Sequence, residues 1–222
     1  PKWVQSVTVP SADGHEEIAY AMANDVATLA WAANLGNIEF HVPLWHVGRR
    51  RKLPSNPDHM VFDLDPGEGT SIVECCIVAG YIMKELEKEG LESFAKTSGS
   101  KGLQLYAPAR PKSTWDGVRN HAYDIARKLE SDHRDLVVSN MRKSLREGRV
   151  LIDWSQNHPT KTTVAVYSVR AMPRPTVSTP VTAEEVHRCA KQKKPQLLAF
   201  ETSDVLSRVD RDGDLFAALG MP

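Results

Sequence analysis

The chain has 222 residues, 41% of them hydrophobic, with 28 Lys and Arg against 28 Asp and Glu. That length and apolar share suffice for a substantial core, and the balanced charge gives no sign of a polyanionic partner in the overall field. Its three cysteines, Cys75, Cys76 and Cys189, form no C-x-x-C pair, so neither a zinc ribbon nor a disulfide framework is supported. No signal peptide or membrane-spanning apolar run is visible, and a reducing, cytoplasmic setting is expected.

From Asn24 the pattern reads as a helix, with Asn24 as its cap, Val26, Leu29, Ala30 and Ala33 as its apolar stripe and Gly36 as its end. Residues 38–42 alternate as a half-buried strand with Ile38, Phe40 and Val42 inward, which puts His41 on the face of Glu39. A basic run follows at Arg49-Arg50-Arg51-Lys52. Then Val61-Phe62-Asp63-Leu64-Asp65-Pro66-Gly67 reads as a buried strand that delivers acids to a sheet rim. On a strand, residues i and i+2 share a face, so Asp63 and Asp65 stand side by side. Two close carboxylates stay ionised only beside a cation, and an all-oxygen cluster favours hard Mg²⁺ or Mn²⁺.

Ser71 and Glu74 form a capping box that opens a helix running to about residue 89 and stopping at Gly90. Short strands are expected near residues 94–96 and 103–106. Between them Ser98-Gly99-Ser100-Lys101-Gly102 combines turn-forming glycines, hydroxyls and a lysine, the makings of an anion-binding nest. It is not a Walker A loop, because the spacing differs and a strand follows. A helix is expected over 114–130 and a brief strand over 136–138. The second basic run, Met141-Arg142-Lys143-Ser144-Leu145-Arg146-Glu147-Gly148-Arg149, precedes the strand Val150-Leu151-Ile152-Asp153. Trp154-Ser155-Gln156-Asn157 continues it with an amide and a hydroxyl beside the carboxylate. Residues 162–169 read as one long strand ending at Arg170, and Pro173, Pro175 and Pro180 as an extended connector. Thr182 with Glu185 caps a further helix, and a last helical stretch follows Ser203. The mixture defines an α/β (α+β) class.

Asp63-Leu64-Asp65 at a strand end also resembles the motif of haloacid-dehalogenase-type phosphatases. There Asp63 would be the nucleophile, Asp65 the general acid, Ser98 and Lys101 the phosphate holders, and Asp210, Asp212 and Asp214 the remaining Mg²⁺ ligands. That family continues Asp-x-Asp with Gly-Thr, where this chain has Pro66-Gly67-Glu68, and it leaves Asp153-Trp154-Ser155-Gln156-Asn157 without a role.

Taken together, Phe62-Asp63-Leu64-Asp65-Pro66-Gly67-Glu68-Gly69, Thr97-Ser98-Gly99-Ser100-Lys101-Gly102-Leu103 and Asp153-Trp154-Ser155-Gln156-Asn157 resemble the archaeo-eukaryotic primase superfamily. The likeness is to its bacterial branch, the polymerase domain of DNA ligase D and the related stand-alone primase-polymerases. His41-Val42-Pro43, Lys161-Thr162-Thr163 and Tyr167-Ser168-Val169-Arg170 fit the same pattern. The resemblance implies one catalytic domain over residues 1–222 with an RRM-like sheet and a helical C-terminal region over 181–222. The implied activity is DNA-templated nucleotidyl transfer from NTPs or dNTPs to a primer 3′-hydroxyl, filling short gaps in DNA repair. Asp63, Asp65 and Asp153 would be the catalytic ligands of two Mn²⁺ or Mg²⁺ ions. His41, Ser98, Lys101, Gln104, Gln156 and Arg170 would hold the nucleotide, and Arg142, Lys143, Arg146 and Arg149 would contact the gapped or primed DNA. A monomer located with the bacterial nucleoid, working with a DNA ligase, is expected. The chain departs from the family at Gln104, where His is usual. The family's N-terminal segment, which grips a 5′-phosphate, is expected to be missing ahead of Trp3.

Overall fold

The computed structural model describes residues 1–11, 16–47 and 56–220; His15 and the run Arg49-Arg50-Arg51-Lys52 lie outside them. The chain opens with an antiparallel ribbon of β1 (Ser6–Pro10) and β2 (Glu17–Ala21), followed by helix α1 (Val26–Asn34). Strand β3 (His41–Val42) leads to the long β4 (His59–Pro66), and α2 (Ile72–Lys88) returns to β5 (Phe94–Thr97) and β6 (Leu103–Pro108). Helix α3 (Trp115–Asp132), β7 (Val137–Val138), β8 (Val150–Asp153) and β9 (Thr163–Val164) come next. Strand β10 (Pro180–Val181) and helices α4 (Ala183–Gln192) and α5 (Thr202–Asp212) close the chain.

Six strands form the central sheet in the order β10-β5-β6-β4-β8-β7, antiparallel except for the β7–β8 pair. Because side chains alternate, β4 serves two layers. Met60, Phe62 and Leu64 enter a core with Val78, Ile82 and Leu86 of α2 and Ile125 and Leu129 of α3. Val61 faces the other way, against Leu44, Tyr106, Phe216 and Leu219. The C-terminal region therefore covers both layers: Val186 of α4 joins the helical core, and Phe216 closes the opposite face. Asp63 and Asp65 share the Val61 face, beyond the point where that cover ends.

The capping boxes at Ser71/Glu74 and Thr182/Glu185 form as the sequence indicates. Four local expectations are corrected. Helix α1 is capped by Asp25, whose carboxylate accepts from Thr28 N–H at 2.8 Å, instead of Asn24. Its expected stripe faces solvent, with Val26 81% exposed, while Thr28 and Ala32 are buried. Ile38 is exposed and only His41–Val42 pairs as strand, since the β9 partner is two residues long. That shortness is the fourth departure. The expected strand over 162–169 stops at Val164, and Tyr167 takes a left-handed conformation at φ 64°. The chain turns there, then re-pairs as a bridge between Val169 and Val177. Pro180 starts an edge strand, where a missing N–H is tolerated.

Strand β8 ends at Asp153, which would leave Val61 of β4 without a neighbour on that side. The Asn157 side chain fills the place of a strand residue. Its Oδ1 accepts from Val61 N–H and its Nδ2 donates to Val61 C=O, both at 2.8 Å. Val61 and Asn157 are both fully buried. Asn157→Ala would orphan both backbone groups, each costing about 1–3 kcal/mol. Urea unfolding should show a loss of about 3 kcal/mol; a variant within about 0.5 kcal/mol of the parent would contradict this role.

Candidate functional site

The sheet register sets four polar residues in one row across four strands. Lys96 of β5 pairs with Gln104 of β6, Gln104 with Asp63 of β4, and Asp63 with Asp153 of β8. Directly opposed residues in an antiparallel pair point to the same face, so all four share the face of Asp65. Gln104 Nε2 donates to Asp63 Oδ1 at 3.1 Å, and the Tyr106 hydroxyl donates to Gln104 Oε1 at 3.2 Å. The Gln104 amide is thus engaged at both ends and 3% exposed.

Burial, with the charges of Asp65 and Asp153 adding to it, pushes the Asp63 carboxyl up to about 7. Asp65 is raised as well, by burial and by Asp153, with the Arg146 charge opposing. Asp153 turns its oxygens into its own 3₁₀ turn, accepting from Ser155 N–H and hydroxyl and from Gln156 Nε2. Among the described residues, no three His, Cys, Asp or Glu side chains stand together as a ready ligand set. What fits a divalent ion is the donor type: hard carboxylate oxygens, those of Asp63 and Asp65 held above their ordinary range by burial and by their acidic neighbours.

The Ser98–Gly102 loop lies beside this row. Ser98 Oγ accepts from the N–H groups of Ser100 and Gly102, so the loop closes on its own hydroxyl, leaving Lys101 exposed. A Cβ at Gly102 would sit 2.3 Å from Leu64 O, so only glycine allows the loop to lie against β4. Arg170 fastens the other side by donating to Ser98 O at 3.0 Å. Glu39 joins Arg170 to His41. It lies 3.3 Å from Arg170 Nε and 3.4 Å from His41 Nε2, and accepts from Ala171 N–H at 2.7 Å. That backbone bond, helped by His41 and Arg170, holds Glu39 below its ordinary range despite partial burial. A cleft of about 650 Å³ opens between the loop and the turn after β4, with Lys101, Ser100, Thr70 and Ser71 on its wall.

The basic segment packs against the turn after β4. Gly67 N–H donates to Arg149 O at 2.8 Å, and Gly148 N–H to Glu68 O at 2.7 Å. Arg142 and Lys143 are exposed at its tip. Arg146 is half-buried: it donates to Met141 O, while its Nε has no hydrogen-bond partner among the described residues. The sequence reading thus located the acids, the loop and the basic segment, and the structure brings them to one rim. It missed Glu39, Lys96 and Tyr106, which belong to no motif and acquire their places only through strand pairing. Asp210, Asp212 and Asp214 lie on or just after α5. Asp212 pairs with Arg211 and Asp214 accepts from the Tyr167 hydroxyl, so nothing here favours the phosphatase arrangement.

An acidic row at a sheet rim, flanked by a Gly-Ser-Lys loop and a basic segment, brings together the motifs on which the sequence resemblance rests. The family comparison agrees: the model described as LigD, primase-polymerase domain, matches residues 1–216, and the chain belongs to that family. It is 37% identical over 219 residues to the "Multifunctional non-homologous end joining protein LigD" of Mycolicibacterium smegmatis, covering 99% of this chain and 27% of that protein. The "Bifunctional non-homologous end joining protein LigD" of Bacillus subtilis is 29% identical over 214 residues, covering 96% of this chain and 32% of that protein. The chain therefore spans about a third or less of these relatives. Among solved structures, the polymerase domain from Mycobacterium tuberculosis Ligase D in complex with DNA superposes with a TM-score of 0.89 at 38% identity, covering 99% of this chain and 75% of that one.

A Cβ at Gly67 would fall 1.7 Å from Arg146 O, a backbone atom that cannot step aside. Gly67→Ala should therefore displace the basic segment while the sheet stays folded. Primer-extension rates should drop at least about tenfold, with a far-ultraviolet dichroism spectrum like the parent's; parent-like rates would show that the docking is dispensable.

Proposed function

We propose that this domain adds nucleotides to a primer 3′-hydroxyl opposite a DNA template, filling short gaps during the repair of broken DNA. The observation that carries the reading is the convergence of Asp63, Asp65 and Asp153 with the Ser98–Gly102 loop and Arg170 at one end of the sheet. The three carboxylates would hold two divalent ions, Mn²⁺ in preference to Mg²⁺. Two such ions, when bound, stabilise the entering and leaving oxygens of an in-line displacement.

The chain's own residues do the rest. Lys101 and Arg170 supply charge for the triphosphate, His41 offers a ring nitrogen, and Gln156, which steadies Asp153, lies within the same rim. The Ser98 hydroxyl keeps a donor proton after accepting its two backbone bonds. Gln104, spent on Asp63 and Tyr106, acts on the nucleotide through the carboxylate it holds. The primer 3′-hydroxyl gives up its proton to solvent, its oxygen bonds to the α-phosphorus, and the bond from that phosphorus to the α–β bridging oxygen breaks, so that pyrophosphate leaves. Arg142, Lys143, Arg146 and Arg149 face the DNA phosphates, in keeping with the DNA bound to the Mycobacterium tuberculosis domain. A monomer acting beside a ligase that seals the filled gap, in the bacterial nucleoid, suits the end-joining names of the relatives.

The test is extension of a labelled primer across a short gap in duplex DNA with Mn²⁺, comparing NTPs with dNTPs. Templated incorporation is expected, reduced at least about a thousandfold by Asp153→Ala. Incorporation that ignores the template base, or that survives in Asp153→Ala, would contradict the reading.

A further inference from the structure

Lys96 is the most deeply buried cation among the described residues, with 0% of its surface exposed. Its Nζ donates to Val164 O at 2.8 Å and to Ser178 Oγ at 2.7 Å, both neutral acceptors, and lies 5.7 Å from the Tyr106 ring centroid. Burying an ammonium costs several kcal/mol, and a Met of similar shape would fill the space without that penalty. Burial pulls the Lys96 pKa down to about 7, against the pull of Asp63. Packing alone does not explain a lysine here.

What the Lys96 Nζ joins is the nucleotide side of the site. Val164 is the direct strand partner of His41. Ser178 anchors the turn that carries Arg170: its N–H donates to Ser168 O, its C=O accepts from Tyr167 N–H, and Thr176 C=O accepts from Arg170 N–H. The backbone of Lys96 itself belongs to β5, one strand from Gln104 and two from Asp63. We propose that Lys96 is a positioning residue for the incoming nucleotide, its Nζ fastening the His41 strand and the Arg170 turn to the sheet that bears the aspartates. The inference rests on the polymerase reading of this site, which it deepens. Lys96 touches no substrate; it fixes the distance between the triphosphate-binding residues and the acidic row.

The experiment compares the parent with Lys96→Met and Ser178→Ala by three readouts. These are binding of a non-hydrolysable NTP with Mn²⁺, steady-state KM and kcat on gapped DNA, and DNA affinity without nucleotide. Lys96→Met should weaken nucleotide binding and raise KM by about tenfold, with kcat changed less than threefold and both DNA affinity and Tm retained. Ser178→Ala should shift the same two quantities in the same direction by a smaller factor. Parent-like nucleotide binding and KM in Lys96→Met would overturn the inference, as would a parallel fall in DNA affinity, Tm and activity. If Lys96→Met does not fold, a parent-like KM in Ser178→Ala overturns it. A parent that binds nucleotide without incorporating it removes the polymerase reading while leaving the comparison of variants standing; a parent that binds none removes both.

Discussion

The repulsion among carboxylates that the sheet register forces together governs the rest of this site. Asp63 and Asp153 are direct partners on adjacent strands, and Asp65 lies two residues along on the same face. Strand pairing fixes their backbones side by side, and Asp153 turns its oxygens into its own 3₁₀ turn, accepting from Ser155 and Gln156. The protein answers the repulsion at each acid separately: those donors serve Asp153, and Arg146 opposes the rise at Asp65. Gln104 donates to Asp63, and Lys96 supplies a positive charge from beneath, beyond that amide.

Holding that arrangement requires the surrounding loops to approach closer than side chains normally permit. Gly102 lets the Ser-Lys loop lie against Leu64, and Gly67 lets the basic segment lie against the turn after β4. Both contacts are backbone on backbone. The cations they carry, Lys101 and Arg146, are therefore placed relative to the aspartates by main-chain geometry, which is stiffer than long side chains alone. Arg170 and His41 arrive by another route, through the β3–β9 ribbon and the turn at Tyr167, and Glu39 bridges them.

The chemistry was more legible in the sequence than the outer architecture. Asp63-Leu64-Asp65 and Asp153 end apolar runs, and strand periodicity alone predicts which face the acids share. The capping boxes at Ser71 and Thr182 were readable because their donors and acceptors lie within three residues. Helix α1 misled because its apolar stripe suggests a buried face, whereas that stripe is exposed and Trp31 packs edge-on against Trp3. The break at Tyr167 was also hidden: Val164 to Val169 has strand composition, and only the return of Ser178 onto the chain explains the left-handed residue. The tie of Lys96 to Val164 and Ser178, and that of Asn157 to Val61, stayed hidden for the same reason. Their partners, Val164, Ser178 and Val61, are far away in sequence.

If Asp63 is a buried charge kept for a cation, thermal unfolding of the parent and Asp63→Asn at pH 8, in chelator and in Mn²⁺, tests this most directly. A carboxyl whose folded pKa is raised stabilises the fold at low pH and loses that contribution as pH rises through about 7. In chelator at pH 8 the Asn variant should melt above the parent by ~2–4 °C, about 1 kcal/mol, and the gap should close as pH falls toward 4. Mn²⁺ should raise the parent's Tm and leave the variant's unchanged. A parent that melts above Asp63→Asn in chelator and does not respond to Mn²⁺ would contradict the account.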